Sequence, residues 1–369
     1  QMDSAEKFDL LAHTPAMALG SCRFKLKKDN TKAFEDVLQI FREYNIGYFF
    51  YCGGNDSMDT INTLSAYFRE NGEDIVCVGI PKTVDNDLAV TDHTPGFGSA
   101  ARFVAISCAE IMIDAYAYPQ PSVTVVEIMG RNAGWLSAAS VIARRGGFGG
   151  PHIILLPESL FDPEVFIKRV GELLETEQHI LVAVSEGIKW KHNGQYVSLK
   201  DGAVVDQFGH AKLGGVAEVL QAIVEENYGK AKRPEAPVKG RSVEPSVMQR
   251  VGSHLASGVD LTEARELGNL AVEVALAAKE KGARADVMVG IERVSNTPYL
   301  TRYIQIPLDQ VANHERIVPA EWISKEGTDV TQEVVDYMLP LFRGQTDIEY
   351  EDGLPKFLCL DRKKLVKPE

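Results

Sequence analysis

Several things this 369-residue sequence lacks narrow the field before any motif is read. No uninterrupted apolar run approaches the roughly 20 residues needed to span a bilayer, and no secretory leader pattern opens the chain. The expectation is a cytoplasmic protein with no membrane partner. Cysteine is scarce: Cys22, Cys52, Cys77, Cys108 and Cys359 form no CxxC pair, which argues against a disulfide framework. Cys52 and Cys77 fall on apolar, strand-like runs and read as reduced core residues. Positive charge is also short, with 39 Lys and Arg against 52 Asp and Glu and a net charge of −13. General nucleic-acid binding needs a basic surface and is not expected. A few arginines in one cleft could still hold a small anion.

Familiar catalytic signatures are missing as well. There is no GxxxxGK[ST], so the P-loop class of phosphoryl transfer is excluded. The eight histidines show no HExxH or other metal spacing, and His93 and His152 read as structural. GSH at 252–254 is no nucleophile elbow. No repeat period and no low-complexity tract occurs.

What remains is an ordinary globular composition, 45% apolar and 25% charged, long enough for two or three domains. Strand-like and helix-like runs alternate along the chain. Helices are expected at 31–44, from Ser57 as cap to about Arg69, at 96–117 and from 135 to about Arg145. Further helices are expected after Asp162–Pro163–Glu164, and at 215–227, 262–281 and 332–343. Strands are expected at 46–51, 75–80, 123–128, 152–156, 180–184, 241–248 and 285–291. Residues 189–213 break the rhythm and read as a surface insertion or hairpin; the Lys-rich end reads as a solvated strand or arm. The alternation predicts an α/β protein of two Rossmann-like lobes, with parallel sheets covered by helices on both faces. The larger lobe is expected to hold 1–98 plus about 250–308, the smaller 99–249 plus 309–369, with the active site in the cleft between them.

Loops after successive strands carry GGNDS (53–57), PKTVDND (81–87), MGR (129–131) and SEG (185–187). Open α/β sheets place ligands at strand carboxyl ends. Within the second loop, Lys82 can neutralise phosphate oxygens, one of Asp85 and Asp87 can take a proton, and the other can help hold Mg²⁺. Alone, that loop reads as a solvated turn of Asp, Asn, Pro and Thr. Four polar loops at strand ends make an accident of turn chemistry a poor account. GFGSAA at 96–101 imitates a dinucleotide fingerprint, yet it follows an acidic loop rather than a strand. Arg23, Arg131, Arg241 and Arg250 each adjoin a turn or strand end, where arginine can grip phosphate in a bidentate way. On one regular strand at 241–250, the odd spacing of Arg241 and Arg250 would point them to opposite faces.

Taken in order, LGSCRF (19–24), GGNDS, GIPKTVDND (79–87), MGRNAGWL (129–136), PE (157–158), VSEG (184–187) and RSVEPSVMQR (241–250) resemble the phosphofructokinase family, and most closely its pyrophosphate-dependent branch. The likeness spans nearly the whole chain. It implies that Asp85 is the base for the C1 hydroxyl of fructose 6-phosphate, that Thr83 contacts the transferred phosphoryl group, that Val84 is a substrate-binding residue, and that Asp87 is the second carboxylate. It assigns Met129, Gly130, Arg131, Glu186, Val247 and Arg250 to the sugar phosphate, and Arg241 to a site in the neighbouring subunit of a homodimer or higher homo-oligomer. Arg23, Gly54, Asp56 and Lys82 fall to the donor, and Asn55 and Asp87 to Mg²⁺. ATP-using relatives have glycine where Asp56 and Lys82 stand. The Asp56 carboxylate would repel a nucleotide phosphate while Lys82 faces pyrophosphate, so pyrophosphate is the expected donor. An ATP-dependent enzyme and a non-catalytic sugar-phosphate sensor are the alternatives. Asn55 stands where many members have a metal-associated aspartate, Val247 where ATP-type enzymes have a sugar-contacting histidine, and Ser122 where they have a further arginine. The family's opening strand and GG-containing phosphate loop have no counterpart, so the larger lobe is expected without its first βα unit.

Overall fold

The computed structural model describes residues 4–18, 20–21, 26, 30–192, 195–198, 215–312 and 314–360. In chain order the elements are α1 (Ala5–His13), α2 (Thr31–Glu43), β1 (Tyr48–Gly53), α3 (Asn55–Glu70), β2 (Val76–Pro81), α4 (Phe97–Tyr116), β3 (Ser122–Ile128) and α5 (Trp135–Ala139). Then follow β4 (Ile153–Leu155), β5 (Leu160–Phe161), α6 (Pro163–Leu173), β6 (His179–Ser185), β7 (Lys189–His192), β8 (Gln195–Ser198), α7 (Val216–Tyr228) and β9 (Lys239–Val243). The rest of the frame is α8 (Met248–Val251), α9 (Gly258–Glu280), β10 (Val287–Asn296) and β11 (Tyr299–Pro307). Two compact units result: Gln1–Gly96, Gly258–Arg316 and Thr346–Glu369 form unit 1, and Phe97–Ser257 with Ile317–Gln345 form unit 2. Residues 309–316 and those from Thr346 thus fall with unit 1 and 250–257 with unit 2, whereas the sequence pattern assigns 309–369 to the smaller lobe and about 250–308 to the larger.

Unit 1 is built on the sheet β1-β2-β10-β11. The first three strands are parallel, and β11 returns antiparallel to β10. Period-2 alternation divides the side chains between two cores. Cys77 and Met288 join Phe34, Leu38, Met58, Ile61 and Phe68 of α2 and α3, while Val76, Val78, Val289 and Ile291 join Leu267, Ala271 and Ala275 of α9. Helix α2 begins as its sequence predicts, with the Asn30 side chain accepting from the Ala33 N–H. The α3 cap differs: Gly54 is the cap and makes no side-chain bond, so the helix starts two residues ahead of Ser57. Pairing also reaches Pro81, opposite Gly53, because the ladder there takes its N–H from Lys82. Cys52 is exposed rather than in the core, since β1 is an edge strand whose Tyr48–Phe50–Cys52 face is left uncovered.

Unit 2 carries the wholly parallel sheet β4-β6-β3-β9. Burial on both faces accounts for the unbroken apolar run at 180–184 in β6 and the largely apolar sequence of β3. One face packs Val123, Val125, Val182 and Val184 against Phe166, Val170, Leu220 and Val224 of α6 and α7. Helix α6 starts as expected, with the Asp162 carboxylate accepting from Glu164 and Val165 N–H groups and Pro163 at the first turn. Trp135 is fully buried and forms an aromatic cluster with Trp322 and Tyr337. After α5 the chain tightens into a 3₁₀ segment, Ser140–Gly146, instead of continuing one helix to Arg145. The break in rhythm after 189 is a hairpin, β7–β8, paired with β5; 199–214 lie outside the described residues.

One strand is shorter than its sequence suggests. β9 ends at Val243, Pro245 follows, Ser246 takes a φ of +48°, and the chain then makes the short helix α8. Arg241 and Arg250 therefore do not share a strand, and the opposite-face argument does not apply to them. Among the described residues, no helix is long and apolar enough to cross a membrane.

Candidate active site

In unit 1 the loops after β1 and β2 are locked together. Lys82 N–H donates to Gly53 C=O at 3.0 Å, Asn55 Nδ2 donates to Asp87 C=O at 3.3 Å, and a Cβ on Gly54 would lie 3.6 Å from Thr83 Cβ. Neighbouring parallel strands end side by side, so loops separated by 28 residues of sequence reach the same sheet edge. Gly54, Asn55 and Asp56 thus lie on a segment bonded to the loop of Lys82, Thr83, Val84, Asp85 and Asp87, with Asp56 in the first turn of α3. Lys82 and Asp56 are exposed, while Thr83 is buried.

Local bonds shape the Asp85 turn. Its N–H donates to Thr83 Oγ1 at 3.1 Å, and that hydroxyl in turn donates to Asp85 Oδ2 at 3.4 Å. Asn86 has a φ of +54°, in the region Asn tolerates better than most residues. Burial, then the charge of Asp85, pushes the Asp87 carboxyl up to about 6. Asp87 Oδ1 and Asn55 Oδ1 are buried and have no hydrogen-bond partner. A carboxylate oxygen and an amide oxygen left in this way are hard donors suited to Mg²⁺. Among the described residues, no cluster of three or more His, Cys, Asp or Glu could hold a metal alone. Mg²⁺ is commonly held by one or two protein ligands together with substrate phosphates and water.

In unit 2 the loops after β3, β6 and β9 meet. Met129 N–H donates to Gln249 Oε1 at 3.0 Å, and Gly130 N–H to Glu186 Oε1 at 3.2 Å. Glu186 N–H reaches Ile128 C=O at 2.9 Å, and Ser185 Oγ donates to Gly130 C=O. Gly130 has a φ of +136°, and a Cβ on Gly187 would stand 1.9 Å from Arg131 C=O. Both glycines are required where the two turns touch. Val247, Arg250 and Arg131 are exposed around this junction. Arg241 is held elsewhere: its guanidinium lies 4.6 Å over the Tyr118 ring and 3.6 Å from Asp114 Oδ2. Ser122 is buried against His179 at 3.0 Å. Arg23 lies outside the described residues.

Three supporting side chains have no role in the motif reading, although Glu158 and Gln249 lie within its stretches. Gln249 ties the MGR turn to the 244–250 loop, with Nε2 donating to Ser246 C=O at 3.3 Å. Glu158 Oε1 accepts from Gly134 and Val318 N–H groups, both at 2.9 Å. Glu127, a lone acid in an apolar strand, accepts from Ala217 N–H at 3.0 Å; burial, then Glu244 and Glu186, raise its pKa. That lone acid two residues ahead of MGR is a signal the sequence does contain.

Carboxylates, a lysine and turn amides at the ends of parallel strands are groups that phosphoryl-transfer enzymes use. The chain belongs to the phosphofructokinase family, whose profile matches residues 1–275. It is 41% identical to a pyrophosphate–fructose 6-phosphate 1-phosphotransferase of Xanthomonas campestris, across 99% of this chain and 85% of the relative. Its identity to the same-named protein of Methylococcus capsulatus is 39%, across 97% and 82% of the two chains. Among solved structures, a pyrophosphate-dependent phosphofructokinase from Marinobacter aquaeolei superposes with a TM-score of 0.81 at 34% identity, covering 99% of this chain and 85% of the other.

Proposed function

We propose that this chain catalyses the reversible transfer of a phosphoryl group from pyrophosphate to the C1 hydroxyl of fructose 6-phosphate, as a cytoplasmic enzyme of glycolysis. The observation that carries the donor assignment is the junction of the two unit 1 loops, which sets Lys82 and Asp56 on adjoining turns. Asp85 takes the hydroxyl proton as the C1 oxygen attacks one phosphorus of pyrophosphate; the bond from that phosphorus to the bridging oxygen breaks and orthophosphate leaves with the electron pair. The Lys82 ammonium offsets charge on the phosphate oxygens, Thr83 contacts the transferred group, and Val84 binds substrate. Asp87 and Asn55 would hold Mg²⁺, which when bound neutralises phosphate charge. Met129, Gly130, Arg131, Glu186, Val247 and Arg250 serve the sugar phosphate, with Arg250 on the distant 6-phosphate. Arg241 acts in the site of a second copy in a homodimer or larger homo-oligomer. Its exposed Tyr118 and Asp114 surroundings, away from the MGR junction, suit that reading.

The test is kcat/KM with pyrophosphate and with ATP for the unmutated chain, Asp56→Gly and Lys82→Gly. The unmutated enzyme should use pyrophosphate. Asp56→Gly should gain ATP use through relief of like-charge repulsion. Lys82→Gly should lose about 10²–10³ in pyrophosphate turnover, as for removal of one preorganised donor. An unmutated chain that prefers ATP would sink the donor assignment.

A further inference from the structure

His93 stands at the centre of a buried ion cluster in unit 1 to which phosphoryl transfer assigns no part. Its Nδ1 lies 2.7 Å from Asp92 Oδ2 and its Nε2 2.6 Å from Glu263 Oε2 on α9. A neutral imidazole has one N–H, so two carboxylate bonds of this length call for a ring protonated at both nitrogens. The surroundings supply the compensation. Arg293 of β10 donates to Asp92 at 3.0 Å, Tyr299 OH of β11 donates to Glu263 Oε1 at 2.8 Å, and Thr301 Oγ1 lies 3.4 Å from that same oxygen. Arg316 adds positive charge near Asp92. Burial opposes the imidazolium, and the two carboxylates outweigh it, so the His93 pKa is raised.

The segment around His93 is a strap with anchors on both sides. On the scaffold side, Ile291 N–H donates to Thr91 Oγ1 at 2.9 Å, Asp92 N–H to Ile291 C=O at 2.8 Å, and Gly96 N–H to Asp260 Oδ1 at 2.9 Å. On the loop side, Thr94 Oγ1 donates to Thr83 C=O at 2.7 Å, and Thr94 N–H to Asn86 Oδ1 at 3.2 Å. Those two bonds grip the residues on either side of Val84 and Asp85.

We propose that His93 is a positioning residue for Asp85: a doubly protonated ring, clamped by Asp92 and Glu263, that fixes residues 91–96 and through Thr94 the turn carrying the base. The proposal rests on Asp85 being the proton acceptor.

Two experiments test it. In ¹⁵N-histidine NMR of the unmutated protein, both His93 ring nitrogens should be protonated at neutral pH. The signal is assigned by its loss in His93→Gln or, should that variant not fold, by its displacement in Glu263→Gln. A neutral tautomer at neutral pH overturns the proposal, and this arm does not depend on what reaction the enzyme runs. Glu263→Gln keeps an acceptor but removes a charge, so the alkaline limb of kcat should move acidward by about 1–3 pH units. The KM values for both substrates should stay within about twofold, since only the turnover step senses the base. A folded Glu263→Gln whose alkaline limb stays in place overturns the proposal even if its melting temperature falls. An unmutated chain inactive with pyrophosphate and with ATP would instead sink the phosphotransferase reading, leaving the NMR result to stand alone.

Discussion

Asp85 and Asp87 share one turn but differ in surroundings, and that difference sets what each substitution should do. Asp85→Asn removes the proton acceptor and should lower turnover by about 10²–10⁴ with KM values little changed. Nearly unaltered turnover in steady-state kinetics would remove Asp85 from that role. Asp87 behaves differently because burial and Asp85 raise its pKa from 3.8 to about 6. A raised acid binds its proton more tightly in the folded chain. Its contribution to stability is present in full below 3.8 and is lost as pH rises through about 6. In chelator-treated protein, Asp87→Asn should therefore melt higher than the unmutated chain above that window and equally below it. Melting curves across the pH range would show parallel behaviour if the carboxylate were in fact well solvated. Mg²⁺ with pyrophosphate should raise the melting temperature of the unmutated chain more than that of Asp87→Asn, because only the former has the carboxylate ligand.

Turns at the ends of β3 and β6 interlock through a backbone bond, the Glu186 and Ser185 side chains, and close backbone approach. The 1.9 Å approach of a Gly187 Cβ to Arg131 C=O makes this the most sensitive joint between them. Gly187→Ala should destabilise unit 2 by about 1–3 kcal/mol, the usual cost of forcing atoms into a filled space. It should also raise the KM for fructose 6-phosphate, since Arg131 and Glu186 would move apart. Denaturant unfolding and substrate titration check the two effects; a variant with unchanged stability would show that the turns yield freely. Elements of this kind were legible in outline. Alternating strands and helices, the Asp162–Pro163 start and the GGNDS and MGR turns are local patterns, and local patterns survive into the fold. The end of β9 at Val243 and the exposure of Cys52 were not legible. The first goes with the turn through Pro245 and Ser246 into α8, and the second with β1 being a sheet edge.

At the scale of the whole molecule, Arg241 and Arg250 should contribute to different copies of the site. Arg250→Ala should raise the KM for fructose 6-phosphate with kcat nearly kept, because a phosphate remote from the reacting hydroxyl is held alike throughout the reaction. Arg241→Ala should do the same. Mixing Arg241→Ala with Asp85→Asn chains should then restore part of the activity, since a hybrid has one site with both residues intact. Hybrids confirmed by mass that stay inactive would count against a shared site.

Sequence alone determined which residue types stand at the strand ends and that two α/β units carry them. Both follow from short-range periodicity and turn chemistry, which neighbouring residues dictate. Only the tertiary structure decided that Asn55 Oδ1 and Asp87 Oδ1 are each buried without a partner, that Gln249 joins two loops, and that His93 lies between Asp92 and Glu263. Residues 93 and 263 are 170 positions apart. No local pattern could pair them, because packing α9 against the sheet is what brings a second carboxylate to a histidine that the sequence alone marks only as structural.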